Sequence, residues 1–214
     1  MNYPYRAAIF DLDGTLIDSM PYWKNLLSDY LAQKGLECDS ESQKEMETLT
    51  LTQGAFYIKS HFCLEETVPE IQKGLRKAVE EIYTKNCQLK PGVAEVLAWL
   101  KAKKIPMGIA TITNKKAAKQ ALKRLGVHKF FRCVMTDVDV GKGKSSPDLY
   151  LAVAKKLRTA PRDCAVWEDS LRYGKVAKAA GFGLIAAPDE GNARVWTEFC
   201  ALADGVAPWC DHAH

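Results

Sequence analysis

Ala7-Ala8-Ile9-Phe10-Asp11-Leu12-Asp13-Gly14-Thr15 runs from four apolar residues into two carboxylates one residue apart, followed by a glycine. A short, continuously apolar run stopped by a turn residue reads as a strand buried on both faces, as in a parallel sheet. Asp11 and Asp13 then leave the C-terminal end of that strand, where open α/β sheets bind ligands. Alone, D-x-D-G also suits a turn or a fragment of a calcium loop. The further acidic positions and terminal Glu of an EF-hand do not follow it.

Working outward, similar runs recur at Pro106 to Ala110, Cys133 to Thr136, Ala165 to Trp167 and Gly183 to Ala186. Helical stretches separate them: Val93 to Lys103 after Pro91-Gly92, Lys115 to Leu125 behind a possible N-cap at Asn114, and Pro147 to Leu157 with Ser146 as N-cap and Pro at the first helical position. This alternation implies an α/β fold, a Rossmann-like doubly wound parallel sheet. About 90 residues lie between the first and second strands, far more than one crossover helix needs. Pro21 to Gly35, roughly Ser42 to Leu49, Gln53 to Phe62 and Glu66 to Lys85 read as helix-forming, so an α-helical domain is expected at 19–88, inserted into a core of 1–18 and 89–214. Leu89-Lys90-Pro91-Gly92 marks the return to the sheet.

A second acidic pair, Glu168-Asp169, follows the fourth run. If strands two and three wind to one side of strand one, and four and five to the other, both acidic ends meet at the topological switch point. Two unit charges about 4 Å apart repel by about 4 kcal/mol at an effective dielectric near 20, so the cluster needs a cation. Hard oxygen ligands without His or Cys favour Mg²⁺. The competing reading makes Asp169 or Ser170 a helix cap, which leaves Glu168 and the Asp11/Asp13 pair unexplained. Thr111, closing the second strand, could bind a phosphate oxygen, and the helix opening near Asn114 would add backbone N–H groups and a positive dipole end. Lys144, in Gly141-Lys142-Gly143-Lys144-Ser145-Ser146-Pro147-Asp148, could reach the acidic cluster from its loop, in competition with Lys142.

The whole-chain properties narrow the class. The 214 residues suffice for one or two domains with a substantial core. The 30 basic residues against 26 acidic ones are spread along the chain, which suits solvated helix faces and not a nucleic-acid stripe. No apolar run is long enough for a membrane helix, and Met1 to Arg6 lacks the pattern of a signal peptide, so a cytoplasmic protein without membrane contact is expected. Seven scattered cysteines (Cys38, Cys63, Cys87, Cys133, Cys164, Cys200, Cys210), with no C-x-x-C pair, suit reduced packing positions better than a disulfide or zinc framework.

Asp11-Leu12-Asp13-Gly14-Thr15-Leu16-Ile17-Asp18-Ser19, Thr111, Lys144 with Pro147-Asp148, and Glu168-Asp169-Ser170 with Gly174 together resemble the four ordered motifs of the haloacid dehalogenase superfamily, across essentially the whole chain. The helical insert resembles the cap of its phosphatase and β-phosphoglucomutase branch. The resemblance implies that Asp11 attacks phosphorus and ligates Mg²⁺. It implies that Asp13 protonates the leaving oxygen, later activates water, and offers its backbone carbonyl to the metal. Asp169 would ligate Mg²⁺, Glu168 would act directly or through water, and Thr111 and Lys144 would hold the phosphate and orient Asp11.

Small departures select among the branches. Dehalogenases and phosphonatase-like members do not use a second aspartate as acid/base in the first motif, so Asp13 argues against both. β-Phosphoglucomutases carry a cap-proximal His where this chain has Trp23, and that His helps to restrain hydrolysis. The expectation is therefore a phosphatase, a phosphoric monoester hydrolase acting on a small phosphorylated metabolite, as a monomer or weak homodimer. The alternatives are a sugar-phosphate mutase and, with the catalytic set complete, a less favoured non-catalytic binding protein. Tyr22, Trp23, Phe56 and Tyr57 either line the substrate side of the cap or form its core.

Overall fold

The computed structural model describes residues 3–46 and 49–208, and the chain divides into two compact units, Met1–Asp18 with Gln88–His214, and Ser19–Cys87. The first unit is built on a parallel sheet: β1 (Ala7–Phe10), β2 (Met107–Thr111), β3 (Phe131–Thr136), β4 (Cys164–Glu168), β5 (Gly183–Ala186) and β6 (Gly205–Val206), in spatial order β3-β2-β1-β4-β5-β6. β1 lies between β2 and β4, and from it the chain winds outward in both directions, as the doubly wound expectation requires. Phe10 pairs with Ile109 on one side and Trp167 on the other, which brings the residues just beyond these strands side by side.

The central strands are apolar, apart from the Thr111 and Glu168 that close β2 and β4, because both faces are covered. Every residue of β1, β2, β4 and β5 is buried. One core cluster joins Ile9, Ala110 and Val166 to Leu149, Tyr150, Val153 and Leu157 of a helix. Gly108 of β2 lets that helix approach, since a Cβ there would stand 2.7 Å from Val153 Cγ1. On the outer strands, Leu184 and Ala186 pack with Phe199.

α5 (Val93–Ala102), α6 (Lys115–Arg124), α8 (Asp148–Leu157) and α9 (Leu171–Ala179) fall where helices are expected, within a few residues. Among the α-helices and strands, the one-turn α7 (Asp137–Val140), α10 (Trp196–Leu202) and β6 have no counterpart in the sequence reading, nor has the 3₁₀ helix Glu190–Val195. The cap of α8 differs from expectation. Pro147 occupies the N-cap position in helical geometry, while the Ser146 hydroxyl donates to the Asp148 carboxylate.

The second unit is helical: α1 (Met20–Ala32), α2 (Ser40–Met46), α3 (Leu51–His61) and α4 (Val68–Glu81), continued by one wider turn, Ile82–Asn86. The expected second helix extends over residues 47 and 48, which lie outside the described residues, as does Cys210. Thr50 with Gln53 and Thr67 with Glu70 form reciprocal caps that start α3 and α4. Leu26, Leu27, Leu31, Ile58, Ile71 and Leu75 are buried. Trp23 donates its indole N–H to the Tyr83 hydroxyl at 2.9 Å, while Phe56 is largely exposed.

Candidate active site

The end of β1 builds the site from one turn. Asp11 continues the ladder by donating its N–H to the Trp167 carbonyl, and the chain then folds back so that Leu16 and Ile17 both donate to the Leu12 carbonyl. Gly14 supplies the left-handed corner at φ +74, a conformation that side chains disfavour. The result points Thr15 back toward the sheet. Its hydroxyl donates to Asp169 Oδ1 at 3.1 Å and lies 3.5 Å from Asp11 Oδ2.

β4, adjacent to β1, delivers Glu168 and Asp169. Carboxylate oxygens of Asp11, Glu168 and Asp169 all lie within 4.8 Å of one another. At that spacing each pair of charges repels by about 3.5 kcal/mol at an effective dielectric near 20. Lys144 offsets part of this. Its ammonium, 1% exposed, bonds both Asp11 Oδ1 and Glu168 Oε2 (2.8 Å to the latter). Lys142, in contrast, is exposed and pairs with Asp148 at 3.3 Å. Two of the three carboxylates thus share one ammonium, which leaves a surplus of acidic oxygens for a cation to offset. An all-oxygen donor set suits a hard ion.

Titration follows from this crowding. Burial, together with the Glu168 and Asp13 carboxylates and against the pull of Lys144, pushes Asp11 up to about 7. Burial and the neighbouring Glu168 and Asp11 hold Asp169 well above the usual carboxylate range. Burial works against the Lys144 charge, but Asp11 and Glu168 overcome it and raise its pKa.

β2, on the other side of β1, brings Thr111. Its buried Oγ1 accepts the N–H of Thr113 at 3.0 Å, which leaves the hydroxyl proton free to be donated elsewhere. The Thr113 hydroxyl bonds Asp13 Oδ2. Asn114 lies exposed beyond, and its side-chain oxygen accepts from the Lys116 and Ala117 N–H groups as the N-cap of α6. Ser170 takes the cap position of α9 without a side-chain bond, and its N–H goes to Glu168 Oε1 at 3.2 Å. The cap reading therefore gives Ser170 its position but no capping bond, and leaves the carboxylates unaccounted for.

Three side chains at the site went unread in the sequence. Thr113 lies two residues past Thr111 on the same strand end, a spacing that could have flagged it. Tyr150 donates to Glu168 Oε2 at 2.9 Å, yet within α8 it reads as one more apolar position. Asn192 donates to the Asp169 carbonyl at 2.8 Å from a short 3₁₀ helix, Glu190–Val195, that carries no recognisable motif.

A family model for haloacid dehalogenase-like hydrolases matches residues 8–187, the span that holds every group just described except Asn192. The chain belongs to the haloacid dehalogenase-like hydrolases. Among relatives of this hydrolase, a phosphorylated carbohydrates phosphatase of Thermotoga maritima is 26% identical over 192 residues, covering 88% of this chain and 89% of that one. A Bacillus subtilis β-phosphoglucomutase is 26% identical over 186 residues, covering 82% and 80%. A solved Thermotoga maritima structure, provisionally described as a β-phosphoglucomutase, superposes with TM-score 0.84 at 24% identity over 94% of each chain, a likeness of fold. No helix among the described residues is long and apolar enough to cross a membrane.

Proposed function

We propose that this hydrolase is a Mg²⁺-dependent phosphatase of small phosphoesters, sugar phosphates or similar metabolites, working through a phospho-aspartate at Asp11. The observation that carries the reading is the convergence of Asp11, Glu168 and Asp169 on one point, with Lys144 bonded to two of them. Asp11, Asp169 and the Asp13 carbonyl would hold the ion, with Glu168 beside them. Bound Mg²⁺ supplies charge neutralisation at the transferring phosphoryl group.

The protein's own groups perform the steps. A carboxylate oxygen of Asp11 attacks phosphorus while the P–O bond to the leaving group breaks, and Asp13 gives that oxygen a proton. Asp13, now ionised, takes a proton from water, whose oxygen attacks the acyl-phosphate and frees phosphate and Asp11. Such a placed acid/base is worth ~10² to 10⁴ in rate. Lys144 and the Thr111 hydroxyl hold phosphoryl oxygens and keep Asp11 aimed. Thr113, bonded to Asp13 Oδ2, fixes the acid/base. Asn114 caps α6 by taking its Lys116 and Ala117 N–H groups, so what α6 would add to the phosphate site is its positive dipole end. The helical unit Ser19–Cys87 serves as the cap that selects the substrate and excludes water.

The six described cysteines, with no disulfide among them, suit the reducing cytoplasm. Trp23, occupied with Tyr83, stands where the mutases carry His, which favours hydrolysis over isomerisation. The test is a phosphate-release screen over sugar phosphates, nucleotides and other small phosphoesters with and without chelator, with Asp11→Asn as control. Turnover that survives chelation or the Asn substitution sinks the proposal. Isomer formation without phosphate release would instead make the chain a mutase.

A further inference from the structure

Behind the carboxylate cluster lies a buried ion pair that the reaction does not use. Lys90 Nζ donates to Asp189 Oδ2 at 2.6 Å and to the Pro188 carbonyl at 2.6 Å, with the two side chains 9% and 4% exposed. Burying two charges costs several kcal/mol each before their attraction is counted, so the pair is a weak source of stability and calls for another reason. Its surroundings give one. The backbone N–H of Lys90 bonds the Leu16 carbonyl, and its neighbour Leu89 pairs with Ile17, so Lys90 is fastened to the loop that begins at Asp11. At the other end, Asp189 and Asn192 lock together: Asp189 N–H donates to Asn192 Oδ1, and Asn192 N–H to the Asp189 carbonyl. The Asn192 amide nitrogen spends both protons, one on the Asp169 carbonyl and one on the Ala187 carbonyl, each at 2.8 Å.

The path runs without a gap from Leu16 through Lys90, Asp189 and Asn192 to Asp169. It braces the two loops that present the converging carboxylates. We propose that Asn192 is a positioning residue that sets the Asp169 backbone, and hence its carboxylate, for the divalent ion, and that the Lys90–Asp189 pair acts through it by fixing Asn192 to the Asp11 loop. The inference rests on Asp169 being a metal ligand. Groups that orient ligands from behind typically govern metal affinity by about 10- to 100-fold.

The test is Mg²⁺ binding by titration calorimetry on the full chain freed of metal with EDTA, for wild type, Asn192→Ala, Lys90→Met, the double variant and Asp169→Asn. Thermal melts in EDTA and hydrolysis of 4-nitrophenyl phosphate accompany it. Asn192→Ala should weaken Mg²⁺ about tenfold, with kcat recovering at saturating Mg²⁺. Lys90→Met should weaken it less. The double variant should bind no more weakly than Asn192→Ala, because contacts acting in series do not add. A brace that merely stabilises the fold would lower the melts and leave Mg²⁺ affinity alone, and that result overturns the proposal. So does a double variant in which the two losses multiply. If Asn192→Ala does not fold, Lys90→Met decides by itself, and unchanged affinity there refutes it. Wild type without Mg²⁺ affinity, or Asp169→Asn binding as wild type does, defeats the site reading and this inference with it. Loss in Asp169→Asn beside an unaffected Asn192→Ala defeats the brace alone.

Discussion

Replacing Lys144 with methionine removes the ammonium that holds two carboxylates together while nearly preserving side-chain volume. Its contact to Glu168, 2.8 Å between groups each 1% exposed, is worth about 6 kcal/mol of gross attraction at an effective dielectric near 20, and a second bond goes to Asp11. Breaking one side of a buried pair typically costs about 3 to 5 kcal/mol net. A second route to the magnitude agrees. The cheapest response of the variant is to hold one further carboxyl neutral. That costs about 1.36 kcal/mol for each pH unit above an ordinary value near 3.9, so about 4 kcal/mol at pH 7 and about 1.5 at pH 5. Urea unfolding in EDTA, extrapolated linearly to water, should therefore show the variant destabilised by about 3 to 5 kcal/mol at pH 7 and by less than half of that at pH 5. Phosphate release should fall by roughly 10² to 10³, as when one donor to a transition-state oxyanion is removed. Destabilisation below about 1 kcal/mol at pH 7, or an equal loss at both pH values, would refute the electrostatic account of the cluster.

Asp13→Asn should still accept a phosphoryl group on Asp11 but fail to release it, so that phospho-enzyme accumulates and steady-state turnover drops by roughly 10² to 10⁴; wild-type turnover would remove Asp13 from its role. Gly108→Ala places a methyl 2.7 Å from Val153 Cγ1 and 3.1 Å from Cys133 Sγ. That overpacking should cost about 1 to 3 kcal/mol, and an unshifted urea midpoint contradicts it. For Asp204, burial opposes ionisation, but the Lys178 ammonium and the Leu184 N–H outweigh it and hold its pKa below the ordinary value. Its contribution is therefore present above the unfolded pKa and lost as pH falls through the folded one. Asp204→Asn should be less stable than wild type at pH 7, with the gap closing below about pH 3.9; a gap that widens in acid refutes the assignment.

The fold was legible where burial wrote it into composition. β1, β2, β4 and β5 are apolar because both faces are covered, and the long interval before β2 announced the helical unit. β6 is two residues long and α7 one turn, too short to leave a periodicity, so neither could be read. Ser146-Pro147 looked like a cap followed by a first turn, yet Ser146 turns its hydroxyl to Asp148 and Pro147 takes the cap; local preference names the boundary to within a residue, and competing side-chain bonds decide the rest. In the site, Asp11, Asp13, Lys144, Glu168 and Asp169 stood out because charge at a strand end or in a glycine-rich loop needs a reason. Tyr150 and Asn192 did not, since each acts through a contact 18 or 23 residues away in sequence that only the folded chain creates. In the helical unit, aromatic residues divided without a sequence cue, Tyr83 buried and Phe56 exposed.

The phospho-aspartate is the centre of the account, and acid quenching during turnover of a phosphoester found in the release screen, followed by mass spectrometry of the peptide that contains Asp11, tests it most directly. A hydroxylamine-sensitive phosphoryl group on Asp11, formed only with Mg²⁺, absent from Asp11→Asn and accumulated in Asp13→Asn, is the expected result. Rapid turnover with the phosphoryl group on another residue, or an Asp11→Asn variant that turns over unimpaired, would contradict it.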